Sequence, residues 1–138
     1  MNIYFSCSIT GGRNEEAIYQ ALVRELLALG HEVPTAHLSS PDVMLMETVV
    51  DPVEIFERDM AWLRGCDAVV AEVSSPSHGV GYEVAYALSL GKPVLCLYQH
   101  GKRVSKIITG NTTPGLVRRE YNNLDEALVF LGQFLQEL

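Results

Sequence analysis

Two carboxylates stand where helix packing calls for aliphatic side chains. In the segment Pro52–Arg64 the apolar residues are Ile55, Phe56, Met60 and Leu63. Asp59 falls four residues after Ile55 and four before Leu63, on the same ridge. Glu83 sits in the same way among Val80, Val84 and Ala87. A carboxylate on a packing face is expensive to desolvate, so it is either satisfied within the fold or turned toward a cleft. Two such acids at one mouth have a chemical use, one as nucleophile and the other as acid and base, as in a retaining glycosidase. Tyr4 lies in a short apolar strand leading to the same place. Its phenol can orient a carboxylate, or it can be an ordinary core aromatic.

Two loops have the composition of an anion site. Ser8-Ile9-Thr10-Gly11-Gly12-Arg13 follows the first strand, and Ser74–Gly81 follows the apolar run Asp67–Val73. Both are rich in Gly and Ser and feed helix N-termini, where unpaired backbone N–H groups favour a phosphate. The same residues are also common turn formers, so composition alone leaves both readings open. Neither loop is a GxGxxG fingerprint, since Gly79-Val80-Gly81 continues into Tyr82-Glu83, and there is no GK[ST]. No dinucleotide or ATP cofactor is implied. His31, His37, His78 and His100 form no HxH or HExxH spacing, so no metal site is expected either. Trp62 is read as helix packing and His78 as a solvent-exposed loop residue.

The elements that must position these groups follow from local signals. Asn2–Cys7 reads as a buried strand ending in a Gly turn, and Asn14 is placed to cap a helix over Glu15–Leu29, stopped by Gly30. His31–Thr35 reads as a second strand. Residues 36–50 show neither period and read as a mobile loop enclosing a short helix. Asp51-Pro52 opens a helix running to Arg64, with Gly65 as its stop. Asp67–Val73 is a continuous apolar strand, followed by a helix over Val80–Leu90 and a further strand at Pro93–Tyr98. A short helix at Val104–Ile108, a strand at Leu116–Glu120 and a terminal helix from Asn123 complete the chain. The alternation predicts an α/β protein: one doubly wound, Rossmann- or flavodoxin-like domain over residues 1–138, with a five-stranded parallel sheet. Ligands of such sheets bind beyond the carboxyl ends of the strands.

Composition agrees and excludes other classes. The 138 residues carry 10 Lys+Arg against 17 Asp+Glu, a formal net charge of −7, with 48% hydrophobic residues. That apolar content supports a core rather than disorder. An acidic chain without a basic run is not the footprint of a nucleic-acid polymer binder. Cys7, Cys66 and Cys96 form no CxxC pattern, and Cys66 and Cys96 read as buried free thiols. The start MNIYFSCSITGG lacks the features of a signal peptide, and no apolar run is long enough for a membrane span. The expected location is cytoplasmic.

Taken together, the stretches Tyr4–Arg13 (YFSCSITGGR), Asp59–Leu63 (DMAWL) and Ser77–Glu83 (SHGVGYE) resemble the nucleoside 2-deoxyribosyltransferase superfamily. Within it they look most like the 2'-deoxynucleoside 5'-phosphate N-hydrolases. The resemblance runs from Asn2 to about Gly110, apart from residues around 36–50. It implies that Glu83 attacks the anomeric carbon of the sugar to form a glycosyl-enzyme intermediate. Asp59 would assist departure of the base and activate water, while Tyr4 would position Glu83. The family's phosphate pocket would map to Ser8, Gly11, Arg13, Ser77 and Gly79, with Ile9 in the same substrate loop. Ser105 would complete it from a neighbouring subunit, which implies a homodimer with composite sites.

One position weighs between activities. The transferases carry an acid six residues before the nucleophile, where it holds a free 5'-hydroxyl; here that residue is Ser77. An acid would repel a 5'-phosphate, whereas a hydroxyl donates a hydrogen bond to one. The expected activity is therefore hydrolysis of nucleoside 5'-monophosphates to free base and sugar 5-phosphate. Base exchange between nucleosides is the alternative, and a non-catalytic nucleotide-binding module a third reading.

Overall fold

The computed structural model describes residues 1–12 and 14–138. Its core is a parallel sheet of four strands in the order β1-β2-β3-β4: Ile3–Ser6, Ala68–Glu72, Val94–Gln99 and Leu116–Tyr121. Ile3 pairs with Ala68 and Ser6 with Ala71, while Val69 pairs with Val94 and Val94 with Leu116. Every residue of β1 and β2 is buried, as expected of strands covered on both faces.

The alternation of side chains divides the molecule into two cores. Ile3, Phe5, Val70 and Leu95 point to one face, where helices α1 (Glu16–Ala28) and α6 (Leu124–Gln136) pack through Leu22, Leu26 and Leu131. Tyr4, Val69, Ala71 and Cys96 point to the other, covered by α3 (Pro52–Gly65) and α4 (His78–Ser89) through Met60, Leu63, Val84 and Ala87. Tyr4 thus faces the helices that carry Asp59 and Glu83. Cys7, Cys66 and Cys96 are all buried.

The expected fifth strand is not formed. His31–Thr35 contributes a single parallel bridge, Asn2 to Glu32, on the far side of β1 from β2. Pro34 has no N–H to extend the ladder. Thr35 then supplies its hydroxyl in place of a carbonyl, accepting the Phe5 N–H at 2.9 Å, and the chain turns away. The sheet therefore has four strands, although the chain still visits both sides of β1.

Residues 36–50 hold two short helices, a 3-10 turn at Ala36–Ser39 and α2 at Val43–Thr48. Asp51 caps α3 by accepting the Val53 N–H at 2.8 Å, with Pro52 in the first turn. The expected Asn14 cap is displaced: Glu15 is the N-cap of α1 and makes no side-chain capping bond. Its carboxylate is engaged elsewhere. Helix α4 starts at His78, two residues before the expected Val80, because Ser77 caps it. The short helix expected at Val104–Ile108 is α5, Lys106–Thr109, capped by Ser105.

Candidate active site

Strand periodicity places Tyr4 and Ser6 side by side on the α3/α4 face, and both donate to Glu83. The Tyr4 phenol donates to Oε1 at 2.8 Å, and the Ser6 hydroxyl makes a short bond to Oε2. A carboxylate 79 residues away in sequence from Tyr4 is thereby fixed through both oxygens. Burial pushes the Glu83 carboxyl up, the two hydroxyls oppose that, and the Asp59 charge adds to it; the net direction is upward. Tyr4 moves further upward, through burial first and then the Glu83 and Asp59 charges, so it is a permanent donor.

Asp59 joins the same electrostatic unit from α3. Its Oδ1 accepts from Arg58 Nε at 2.9 Å, and its side chain keeps 13% exposure. Burial raises the Asp59 carboxyl, Arg58 opposes, and the net direction is again upward. Arg58 is held in turn: a second nitrogen reaches Glu47 Oε1 at 3.2 Å, and its guanidinium lies 4.8 Å from the centre of the Trp62 ring. His37 pairs with the same Glu47 oxygen at 3.1 Å. Two carboxyls whose hold on a proton is strengthened by burial are suited to acid and base roles.

Beside these acids runs a cleft of about 1030 Å³. One wall carries Thr10, Gly11, Ser75 and Ser77, the other Arg103, Ser105 and Lys106. The cleft stops short of the acids: Val80 and Gly81 line it, whereas Glu83, one turn further along α4, does not. At Gly11 any Cβ would run into the Pro76 carbonyl oxygen, so glycine is needed for the first loop to approach the second.

The expected site residues are therefore distributed as follows. Tyr4, Glu83 and Asp59 converge. Ser77, as the N-cap of α4, accepts from the Val80 N–H at 3.4 Å and faces the cleft; Ser105, as the N-cap of α5, lines the opposite wall of the same chain's cleft. Ser8 is fully buried, close to Gly11. The Ile9 side chain packs against the α1/α6 core, and Gly79 is exposed in the first turn of α4. Arg13 lies outside the described residues. Among the described residues no group of three or more His, Cys, Asp or Glu is arranged to hold a metal ion, and no helix is long and apolar enough to cross a membrane.

Ser6 and Arg58 are additions to the expected set. Ser6 was signalled by its position two residues from Tyr4, on the same strand face. Arg58 was signalled only by adjacency to Asp59.

Comparison with known proteins shows which family the chain resembles. The family model described as nucleoside 2-deoxyribosyltransferase matches residues 3–127. A 5-hydroxymethyl-dUMP N-hydrolase of Danio rerio is 38% identical over 141 residues, spanning 100% of this chain and 98% of that protein. The Mus musculus protein of the same description is 44% identical over 113 residues, covering 79% of this chain and 65% of the mouse protein. Among solved structures, the Clostridium botulinum CMP N-glycosidase BcmB superposes with a TM-score of 0.72 at 21% identity, covering 99% of this chain and 100% of that one. At that identity the likeness speaks for the fold.

Proposed function

The chain belongs to the nucleoside 2-deoxyribosyltransferase family, and from that premise we propose that it is an N-glycosidase of (2'-deoxy)nucleoside 5'-monophosphates, releasing free base and (deoxy)ribose 5-phosphate. The observation that carries this reading is the Glu83 carboxylate held through both oxygens by Tyr4 and Ser6, near a largely apolar cleft into which Ser75, Ser77, Ser105, Arg103 and Lys106 bring hydroxyls and cations. The relatives described as 5-hydroxymethyl-dUMP N-hydrolases support it.

In this mechanism a Glu83 oxygen attacks C1' of the sugar while the C1'–N bond breaks. Asp59, whose carboxyl burial shifts upward, protonates the departing base. Asp59, now ionised, takes a proton from water, whose oxygen attacks C1' and releases Glu83. Tyr4 and Ser6 hold the nucleophile in its attacking pose throughout.

The 5'-phosphate is assigned to the cleft, against Ser77 and the α4 N-terminus, and the family resemblance adds Gly79, Ser8, Ile9, Gly11 and Arg13 as its further partners. Charge-assisted contacts to phosphate are worth ~1.5–3 kcal/mol each, so two of them separate nucleotide from nucleoside by roughly 100-fold or more in kcat/KM. We further propose a homodimer in which Ser105 completes the neighbour's phosphate site. Its support is the family resemblance and the exposure of the α5 segment, where Ile107 is 80% exposed. A monomer with full activity in sedimentation measurements contradicts the shared site.

Chromatography of the products tests the activity. A deoxynucleoside 5'-monophosphate gives free base and sugar 5-phosphate, the matching deoxynucleoside reacts poorly, and a second added base is not incorporated. Ser77→Asp shifts preference away from the phosphorylated substrate. Preference for the nucleoside with efficient base exchange overturns the assignment in favour of a transferase.

A further inference from the structure

On the α1/α6 face, directly behind the cleft, a second pair of buried carboxylates takes no part in the mechanism above. Glu72, at the end of β2, is fully buried. It accepts a short bond from the Ser74 hydroxyl, another from Tyr121 at 2.9 Å, and the Ser74 N–H at 3.3 Å. Ser74 in turn accepts the Gln99 N–H at 2.7 Å, tying the end of β3 to the same point. Glu15 is 3% exposed at the start of α1. Its carbonyl opens the helix by accepting from Ile18 and Tyr19, and its side chain is left for long-range partners.

Those partners come from the two loops that wall the cleft. The Ser75 hydroxyl donates to Glu15 Oε2 at 2.7 Å, across 60 residues. The Lys102 ammonium reaches Oε1 at 2.7 Å. Ser75 itself lines the cleft and is two residues from Ser77; Lys102 adjoins Arg103 on the opposite wall. One buried carboxylate therefore joins the start of α1, the Ser74–Ser77 loop and the Gly101–Ser105 segment. A buried carboxylate that loses one partner is strongly destabilised, so the two loops are coupled through it.

We propose that Glu15 is a positioning residue for the cleft, with Lys102 as the latch that sets the spacing of its two walls. The Ser74–Ser77 loop, whose hydroxyls face the phosphate site, is held at a working separation from the Gly101–Ser105 segment by an ion pair on the other face of the sheet. The inference rests on reading the cleft as the phosphate site. The coupling of the loops does not depend on that reading, and this separates the two tests.

Hydrogen exchange followed by mass spectrometry, on the whole protein without substrate, reads the coupling. Lys102 is solvent-accessible, so Lys102→Met folds; it speeds exchange about tenfold in Ser74–Ser77 as well as in its own segment. Ser75→Ala does the reverse, loosening Gly101–Ser105, and Lys102→Arg restores protection. Calorimetry with 2-deoxyribose 5-phosphate reads the consequence. Both Lys102→Met and Ser75→Ala weaken it by about tenfold, and Lys102→Arg stays within about twofold. Unchanged exchange in Ser74–Ser77 on Lys102→Met overturns the latch. So does weakened sugar-phosphate binding in Lys102→Met with none in Ser75→Ala, which makes Lys102 a direct phosphate cation. If the wild-type protein does not bind the sugar phosphate while the exchange coupling persists, the function assignment fails and the latch stands.

Discussion

Two pairs of carboxylates lie on opposite faces of one sheet, and each pair is satisfied in the same way. On the α3/α4 face Glu83 takes hydroxyl donors from Tyr4 and Ser6, and Asp59 takes the cation Arg58. On the α1/α6 face Glu72 takes hydroxyl donors from Ser74 and Tyr121, and Glu15 takes the cation Lys102. In each pair one acid has hydroxyls alone and the other a cation, to which Glu15 adds the Ser75 hydroxyl. What differs is access: Glu72 is fully buried, whereas Glu83 and Asp59 each keep a small exposed fraction. In the proposed mechanism contact with the outside, rather than the hydrogen-bond inventory, separates the two pairs, since an attacking carboxylate must reach an anomeric carbon.

The sharpest way to break this comparison is to make the same substitution on both faces. Glu83→Gln preserves shape and lowers kcat by roughly 10³-fold or more, whereas Glu72→Gln retains turnover within about one order of magnitude. Comparable losses in steady-state assays would erase the distinction between the faces.

Stability against pH sharpens it further. Burial and the nearby Glu15 charge push the Glu72 carboxyl up to about 7 from an ordinary 4.5, against the opposing bonds from Ser74 and Tyr121. The folded state therefore binds more protons than the unfolded one between these values. The associated stabilisation is complete below about pH 4.5 and is lost as pH rises through about 7, to the extent of about 3 kcal/mol. Glu72→Gln, which cannot ionise, should lack this loss. Denaturant unfolding of both proteins between pH 5 and 8 checks it: the wild type weakens relative to the variant as pH rises. A difference independent of pH contradicts the raised carboxyl.

A smaller effect belongs to the reactive face. Glu83 must be ionised to attack, and its carboxyl lies above the ordinary range, so kcat/KM falls on acidification earlier than for an exposed glutamate. Tyr4 and Ser6 oppose that rise. Removing either donor, in Tyr4→Phe or Ser6→Ala, moves the acidic limb to higher pH, by up to about one pH unit for a hydrogen bond of ordinary strength. An unmoved limb in both variants would mean that the hydroxyls only pack.

Much of the α3/α4 face was legible in the sequence. Asp59 and Glu83 violate helix periodicity, and Tyr4 lies in a strand leading to them, so local pattern plus family resemblance pointed to three side chains that the fold brings together. Ser6 obeys the same strand period, but a serine within a strand carries no signal of its own. The supports of Arg58 were out of reach, because His37 and Glu47 lie in residues 36–50, where no period holds. The opposite face was illegible for a different reason. Glu15 reads as an ordinary first-turn acid and Glu72 as the end of an apolar strand. Only the parallel topology brings Ser75 and Lys102 to Glu15, and no local signal encodes a meeting 60 residues apart. The missing fifth strand was an error of the same kind. HEVPT has strand composition, but Pro34 withholds the N–H and Thr35 accepts the Phe5 amide in its place.

The central claim is that the carboxylate pinned by Tyr4 and Ser6 becomes covalently bonded to the sugar. Acid-quenching the wild-type protein during turnover of a deoxynucleoside 5'-monophosphate, then digesting it for mass spectrometry, tests this directly. The account predicts deoxyribose 5-phosphate esterified to Glu83, and no adduct with Glu83→Gln. Sugar attached to Asp59 instead, or turnover by Glu83→Gln at the wild-type rate, would contradict it.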